Sequence, residues 1–177
     1  MVQSFLRILS KFIVEWTLDL QNRYISEVYR DLNGNNQVDE YDQLGFLYPH
    51  DLMVECYAYA AGVKVAPFDE DGVPRLAISD DAAPLVDFWE KMYRIKSNDR
   101  CFEVQAVSGV STNTTSMKFF SGGNILFVSG FLFNTTSDLR DMTDDYGILP
   151  LPKRDEEQTN YITVSKDGIR RIWKLRP

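Results

Sequence analysis

The hydrophobic positions of this chain change their period several times, and each change marks an expected element. Phe5, Leu9, Phe12, Trp16 and Leu20 recur every three to four residues, the stripe of an amphipathic helix packed on one side. The spacing continues through Tyr24, Ile25, Val28 and Tyr29 and stops at the turn-rich run DLNGNNQVDEYD, Asp31 to Asp42. After Gly45-Phe46-Leu47-Tyr48-Pro49, His50 or Asp51 can cap a short helix reaching about Ala61, with Gly62 at its stop position. Lys64 to Ile78 carries two strand-like pieces around Asp69-Glu70-Asp71-Gly72, a hairpin signal.

Ser79 or Asp80 opens the most regular helix, where Pro84 is tolerable only in the first turn. Leu85, Phe88, Trp89, Met92 and Ile95 line one face of it, which reads as a core stripe, while Asp87, Glu90, Lys91 and Arg94 line the other. Ser97 to Thr115 is polar and irregular and reads as a loop. A short helix over Thr114 to Phe120 leads through Gly122-Gly123 into a buried strand, Asn124 to Val128. A helix at Ser137 to Met142 and strands at Tyr146 to Leu149 and Tyr161 to Val164 complete the pattern. Alternating helices and short strands place the chain in the α/β class, with helices packed on a short mixed sheet.

Composition narrows the function. The chain has 177 residues, 44% apolar and 25% charged, enough to bury a core without a disulfide framework. Its 19 basic and 26 acidic residues give a net charge of −7, which argues against a nucleic-acid surface. No apolar run reaches the ~18 residues of a membrane span. A single histidine, His50, disfavours His-based triads and His-rich metal sites. The two cysteines, Cys56 and Cys101, form no CxxC, and Cys56 in LMVECYAYAAG reads as a buried free thiol. Arg7 and Lys11 interrupt the first apolar stretch, no basic segment precedes it and no small-residue cleavage site follows, so no signal peptide is expected. Asn113-Thr114-Thr115 and Asn134-Thr135-Thr136 fit the N-glycosylation tripeptide, whose physical content is a polar, turn-prone surface.

The most specific local pattern is the oxygen-rich loop. Calcium takes six to eight oxygen ligands, which a tight loop presents from alternate positions. Asp31, Asn33, Asn35, Gln37 and Asp39 occupy positions 1, 3, 5, 7 and 9 of a 12-residue loop, Gln37 through its backbone carbonyl. Val38 follows as an apolar anchor, and Glu40 or Asp42 closes the shell. Asn36 stands where glycine is usual, and asparagine tolerates the left-handed conformation better than most residues. With two amide ligands, a weak site of roughly 10⁻⁴–10⁻³ M is expected, structural rather than catalytic. The competing reading is a plain turn, because Asn, Asp and Gly favour turns without any metal.

From this loop onward the chain resembles a family 1 extracellular, or periplasmic, solute-binding protein of carbohydrate ABC transporters. Three stretches carry the likeness: YRDLNGNNQVDEYDQLGF; FSGGNILF from Phe120 to Phe127, similar to the family's F-x-x-G-K-x-x-[MF] element with Asn124 in place of the basic residue; and LRDMTDDYGILPLPKRDEEQTNY. The resemblance is strongest over 24–164, with 1–20 and 165–177 as atypical ends. It implies that 1–177 form a single partial α/β lobe of the periplasmic-binding-protein type II-like kind, mostly the C-terminal lobe, and a fragment of a longer protein. In the family two such lobes, joined by crossing strands, close on a ligand. The resemblance further implies a sugar or oligosaccharide ligand, an ABC permease as partner of the full-length relative, and an extracellular, membrane-anchored or periplasmic location. Loops placed similarly in the family nominate Phe131, then Phe133, and Tyr48 as ligand-facing aromatics, and Asp31, Asn33, Asn35, Gln37, Asp39 and Glu40 as calcium ligands. The expectation is a binding protein and not an enzyme. Two other classes compete: a stand-alone calcium-stabilised protein-interaction module, since the loop resembles dockerin loops, and a glycoside hydrolase using carboxylates from Asp141, Asp144 and Asp145 or Asp155, Glu156 and Glu157. Both acidic runs read as solvated surface.

Overall fold

Thr17 sets where the helix that follows it begins. Its backbone is extended (φ −123°, ψ 167°) and its side chain accepts the N–H of Leu20, so helix α1 runs Leu18–Ser26. The computed structural model describes residues 15–39, 41–48, 51–98, 100–103 and 112–164. Phe5, Leu9 and Phe12 of the expected N-terminal stripe lie outside them. The stripe also ends earlier than its period implies, because Tyr29 belongs to a strand, β1 (Tyr29–Arg30).

The sheet is built around β2 (Gln43–Tyr48), a strand absent from the sequence reading. On one edge β4 (Ile125–Val128) runs parallel to it, pairing Leu44 with Ile125 and Phe46 with Phe127. On the other, β1 pairs antiparallel at Gln43 and Leu44, and β3 (Cys101–Glu103) pairs parallel from Phe46 to Tyr48. Helix α2 (Asp51–Ala60) and helix α3 (Ala83–Lys96) lie between β2 and β3, and helix α4 (Thr112–Ser121) precedes β4. The result is a mixed α/β fold with four helices on a four-stranded sheet among the described residues.

Burial follows from these pairings. Leu18 and Ile25 of α1 and Phe88, Met92 and Ile95 of α3 close over Phe46 and Tyr48, joined by Tyr57, Ala61 and Val63. A second cluster holds Leu44, Leu47 and Ile125, with Phe119 and Phe120 of α4 packed against it. Helix α1 approaches β2 so closely that a Cβ on Gly45 would lie 2.4 Å from the Ile25 carbonyl oxygen and 2.6 Å from its Cα. Trp89 does not join the core as its spacing suggested. Phe88, Met92 and Ile95 fill the buried sector, and Trp89, one position round the helix, is left 50% exposed.

Several expected elements differ. Lys64 to Ile78 forms one isolated bridge, Phe68 to Pro74, rather than two strands. Its turn is held by Asp69, which accepts from the N–H groups of Asp71 and Val73 and from Arg75 Nε. The segment read as a Ser137–Met142 helix is a run of turns, which follows a 3₁₀ turn at Leu132–Thr135. Tyr146 to Leu149 and Tyr161 to Val164 form no ladder. Instead Lys153 bridges in parallel to Thr17: Lys153 donates to the Trp16 carbonyl (3.0 Å) and accepts from Leu18 (2.9 Å). The Trp16 indole donates to the Pro150 carbonyl (3.0 Å) and packs 5.3 Å from Phe127.

Candidate functional site

The loop between β1 and β2 is organised by its own side chains. Asp31 accepts the N–H groups of Gly34 (2.6 Å) and Asn36 (2.9 Å). The Asn33 amide oxygen accepts from the Asn35 N–H (3.0 Å), and that of Asn35 from the Gln37 N–H (2.7 Å). Asn36 adopts φ 58°, the left-handed conformation its position required. Asp39 takes the amide nitrogens of Asn33 and Asn35 and the Tyr41 N–H. The Tyr41 N–H above all holds the Asp39 carboxyl below its ordinary value; burial, next in size, opposes it, and the Asn35 and Asn33 amides add to the lowering.

Asp42, one of two candidates to close a metal shell, does something else. It is fully buried, accepting from the Leu32 N–H (3.1 Å), the Asp39 N–H (3.2 Å) and the Tyr29 hydroxyl (3.4 Å). Burial first, then the Asp42 and Asp31 carboxylates, raise the Tyr29 pKa, so the phenol stays a donor. Asp42 therefore clasps the two ends of the loop. Glu40 lies outside the described residues.

The donors suit a hard cation in type. Each Asn carbonyl oxygen spends one lone pair on a loop N–H and keeps another, and Asp31 and Asp39 supply negative charge. The Asn33 and Asn35 amides, however, already occupy Asp39, and a cation would have to displace them. Among the described residues no group of three or more His, Cys, Asp or Glu could hold a metal ion. If calcium binds at roughly 10⁻⁴–10⁻³ M, 5 mM calcium stabilises the fold by about 1–2 kcal/mol relative to EDTA. Thermal melts in the two buffers read this directly; coincident midpoints would leave a plain turn.

The aromatics nominated for ligand contact are only partly brought together. Phe131 and Phe133 stack on each other (centroids 5.7 Å apart, 11° between planes) just beyond β4, with Phe133 59% exposed and Phe131 half-buried. Asn134 fixes this turn by accepting the Phe131 N–H (2.7 Å) and donating to Asp138 (2.7 Å). Its burial means that this glycosylation tripeptide is not the open surface the sequence suggested. Tyr48 sits at the end of β2, largely buried in the main core, and burial first pushes its phenol up to about 12. Tyr48, Glu103 and the segment after Val128 all lie at the carboxyl ends of the parallel strands, the side of an open α/β sheet where ligands bind.

Two clefts flank this framework. One, of about 630 Å³, runs between the starts of α1 and α3 and is lined by Asp19, Asp87, Lys91, Arg154 and Asp155. Both of its cations are paired, Lys91 with Asp19, and Arg154 with Asp87 (3.5 Å) and Asp155 (2.7 Å), while Asp81, Glu156 and Glu157 add further negative charge to the lining. The other, of about 530 Å³, lies between α2 and α3 and is lined by Tyr48, Tyr59, Val65, Trp89, Lys96 and Glu103, among others. The sequence reading missed it, because Trp89 was assigned to the core. Cys56 is buried, and neither it nor Cys101 forms a disulfide; burial chiefly drives the Cys101 pKa up to about 12, so its thiol stays protonated at neutral pH. Among the described residues no helix is long and apolar enough to cross a membrane. No protein-family model, curated protein or solved structure matches the chain.

Proposed function

We propose that the chain is a substrate-capturing solute-binding component of an ABC importer, taking a sugar or oligosaccharide, with a structural calcium loop. The observation that carries this reading is the set of parallel strands β2, β3 and β4, whose carboxyl ends share one edge of the sheet. That shared edge supports a periplasmic-binding-protein type II-like lobe, because open α/β sheets take their ligands there. A second lobe closing on that edge by hinge motion would enclose the ligand.

In this mechanism the exposed Phe133 ring, braced by Phe131, meets the apolar face of a sugar ring. Calcium would neutralise Asp31 and Asp39; the loop's own hydrogen bonds and the Asp42 clasp would hold the amides in place. The permease, the extracellular setting and the non-enzymatic role belong to the same proposal. Titration of the 177-residue chain with maltotriose, cellotriose and xylotriose by calorimetry tests it. One of them is expected to bind, and Phe133→Ala to weaken binding about tenfold. Silence with all three, or release of reducing sugar from them, would sink the proposal.

A further inference from the structure

From the cleft between α2 and α3 we infer a second sugar-binding site, built on Trp89 and the Lys96–Glu103 pair and separate from the Phe131–Phe133 turn. It shares the carbohydrate class of the reading above but none of the phenylalanines that carry it.

The argument begins with Trp89. A solvated helix face ordinarily carries long charged residues, yet here an indole is left 50% exposed at the mouth of a cleft. The buried Phe88 ring supports it from one side, meeting it edge-on with centroids 5.3 Å apart and 65° between planes. Tyr59, 55% exposed, and Val65, 47% exposed, continue the apolar wall. A half-open aromatic face suits the C–H face of a pyranose.

The polar end of the cleft completes the match. Lys96 Nζ lies 3.1 Å from Glu103 Oε2 and 5.3 Å from the centre of the Tyr48 ring. Donor and acceptor thus stand side by side, and Glu55 in the same lining adds a second carboxylate acceptor, an arrangement that serves the donating and accepting hydroxyls of a sugar. Both side chains are about half exposed, so the pair can be reached from solvent. The volume of about 530 Å³ falls within the range of small-ligand sites. Its floor is the carboxyl ends of β2 and β3, at Tyr48 and Glu103.

The test follows the Trp89 indole N–H by NMR while maltotriose, cellotriose and xylotriose are added to the full chain. With the sugar that binds, the Trp89 signal is expected to shift while that of Trp16, which is buried, stays in place. Trp89→Leu should weaken that shift-reported binding at least tenfold, and Glu103→Gln several-fold, both with unchanged melting midpoints; Phe133→Ala should leave it alone. Binding that leaves the Trp89 signal still and is lost in Phe133→Ala overturns the second site and spares the first. A response to phenethylammonium with none to any trisaccharide also overturns it, since the cleft would then be a cation site. If no trisaccharide binds anywhere, both proposals fall together.

Discussion

Gly45→Ala is expected to destabilise the protein by about 3 kcal/mol, at the upper end of what overpacking costs. The added Cβ would meet the Ile25 carbonyl oxygen at 2.4 Å, its Cα at 2.6 Å and its carbonyl carbon at 2.9 Å. All three are backbone atoms of a helix whose Ile25 side chain is fully buried in the same core. Neither side can yield alone: α1 would have to lift from the sheet, or β2 to bend away from the strands on both of its edges. Gly130→Ala is the matched control. There the nearest atom, also at 2.4 Å, is the terminal methyl of Met117, a flexible side chain that can turn aside. Urea denaturation should show a large fall in midpoint for the first variant and a fall under half as great for the second. Equal losses would mean that α1 does not press on β2 as described.

Asp42→Ala is expected to cost about 2–4 kcal/mol, because it orphans three donors at once. The Leu32 and Asp39 N–H groups and the Tyr29 hydroxyl all point at a carboxylate with no exposed surface. Asp42→Asn keeps one acceptor oxygen and should recover part of that loss. The same pair of variants separates clasp from ligand. If Asp42 only closes the loop, Asp42→Asn leaves any calcium-induced rise in melting midpoint near its original size. If it binds the cation directly, that rise disappears with the charge.

Much of the architecture is legible in the sequence where local signals agree. The α3 pattern, with Pro84 near its start, gives a helix at Ala83–Lys96, and Gly62, at φ 75°, stops the chain after α2 as expected. The Asn124–Val128 strand is found at Ile125–Val128. The central strand β2 was missed because LGFLY is a short apolar run without alternation, as befits a strand covered on both faces. The three residues of β3 give no pattern at all; they are a strand only because β2 is beside them. Tyr161 shows the opposite failure. Its strand-like neighbours pair with nothing, and its hydroxyl instead accepts the Trp16 N–H (3.1 Å) across 145 positions.

The candidate site divides along the same line. The loop's alternation of oxygens and the left-handed Asn36 could be read from spacing, since both are local. The burial of Asp42 and the exposure of Trp89 could not, because each depends on what arrives from elsewhere in the chain. Helix α3 offers seven large apolar or aromatic positions, Leu85, Val86, Phe88, Trp89, Met92, Tyr93 and Ile95, to a core that has room for fewer. Which of them is left outside is decided by the tilt of the helix on the sheet.

The tie between the beginning and end of the described fold also sets a schedule for making it. Trp16 donates to Pro150, 134 positions later, and to Tyr161, later still. Contacts this distant slow folding, because a long stretch of chain must be gathered before they form. On a ribosome adding ~5–20 residues per second, Trp16 waits on the order of 10 s before its partners are synthesised. Through that interval its indole and the Thr17 segment stand without their buried setting, while the sheet they will join is still being laid down. While residues 17–150 are being made, a nascent chain therefore carries Trp16 without the partners that bury it.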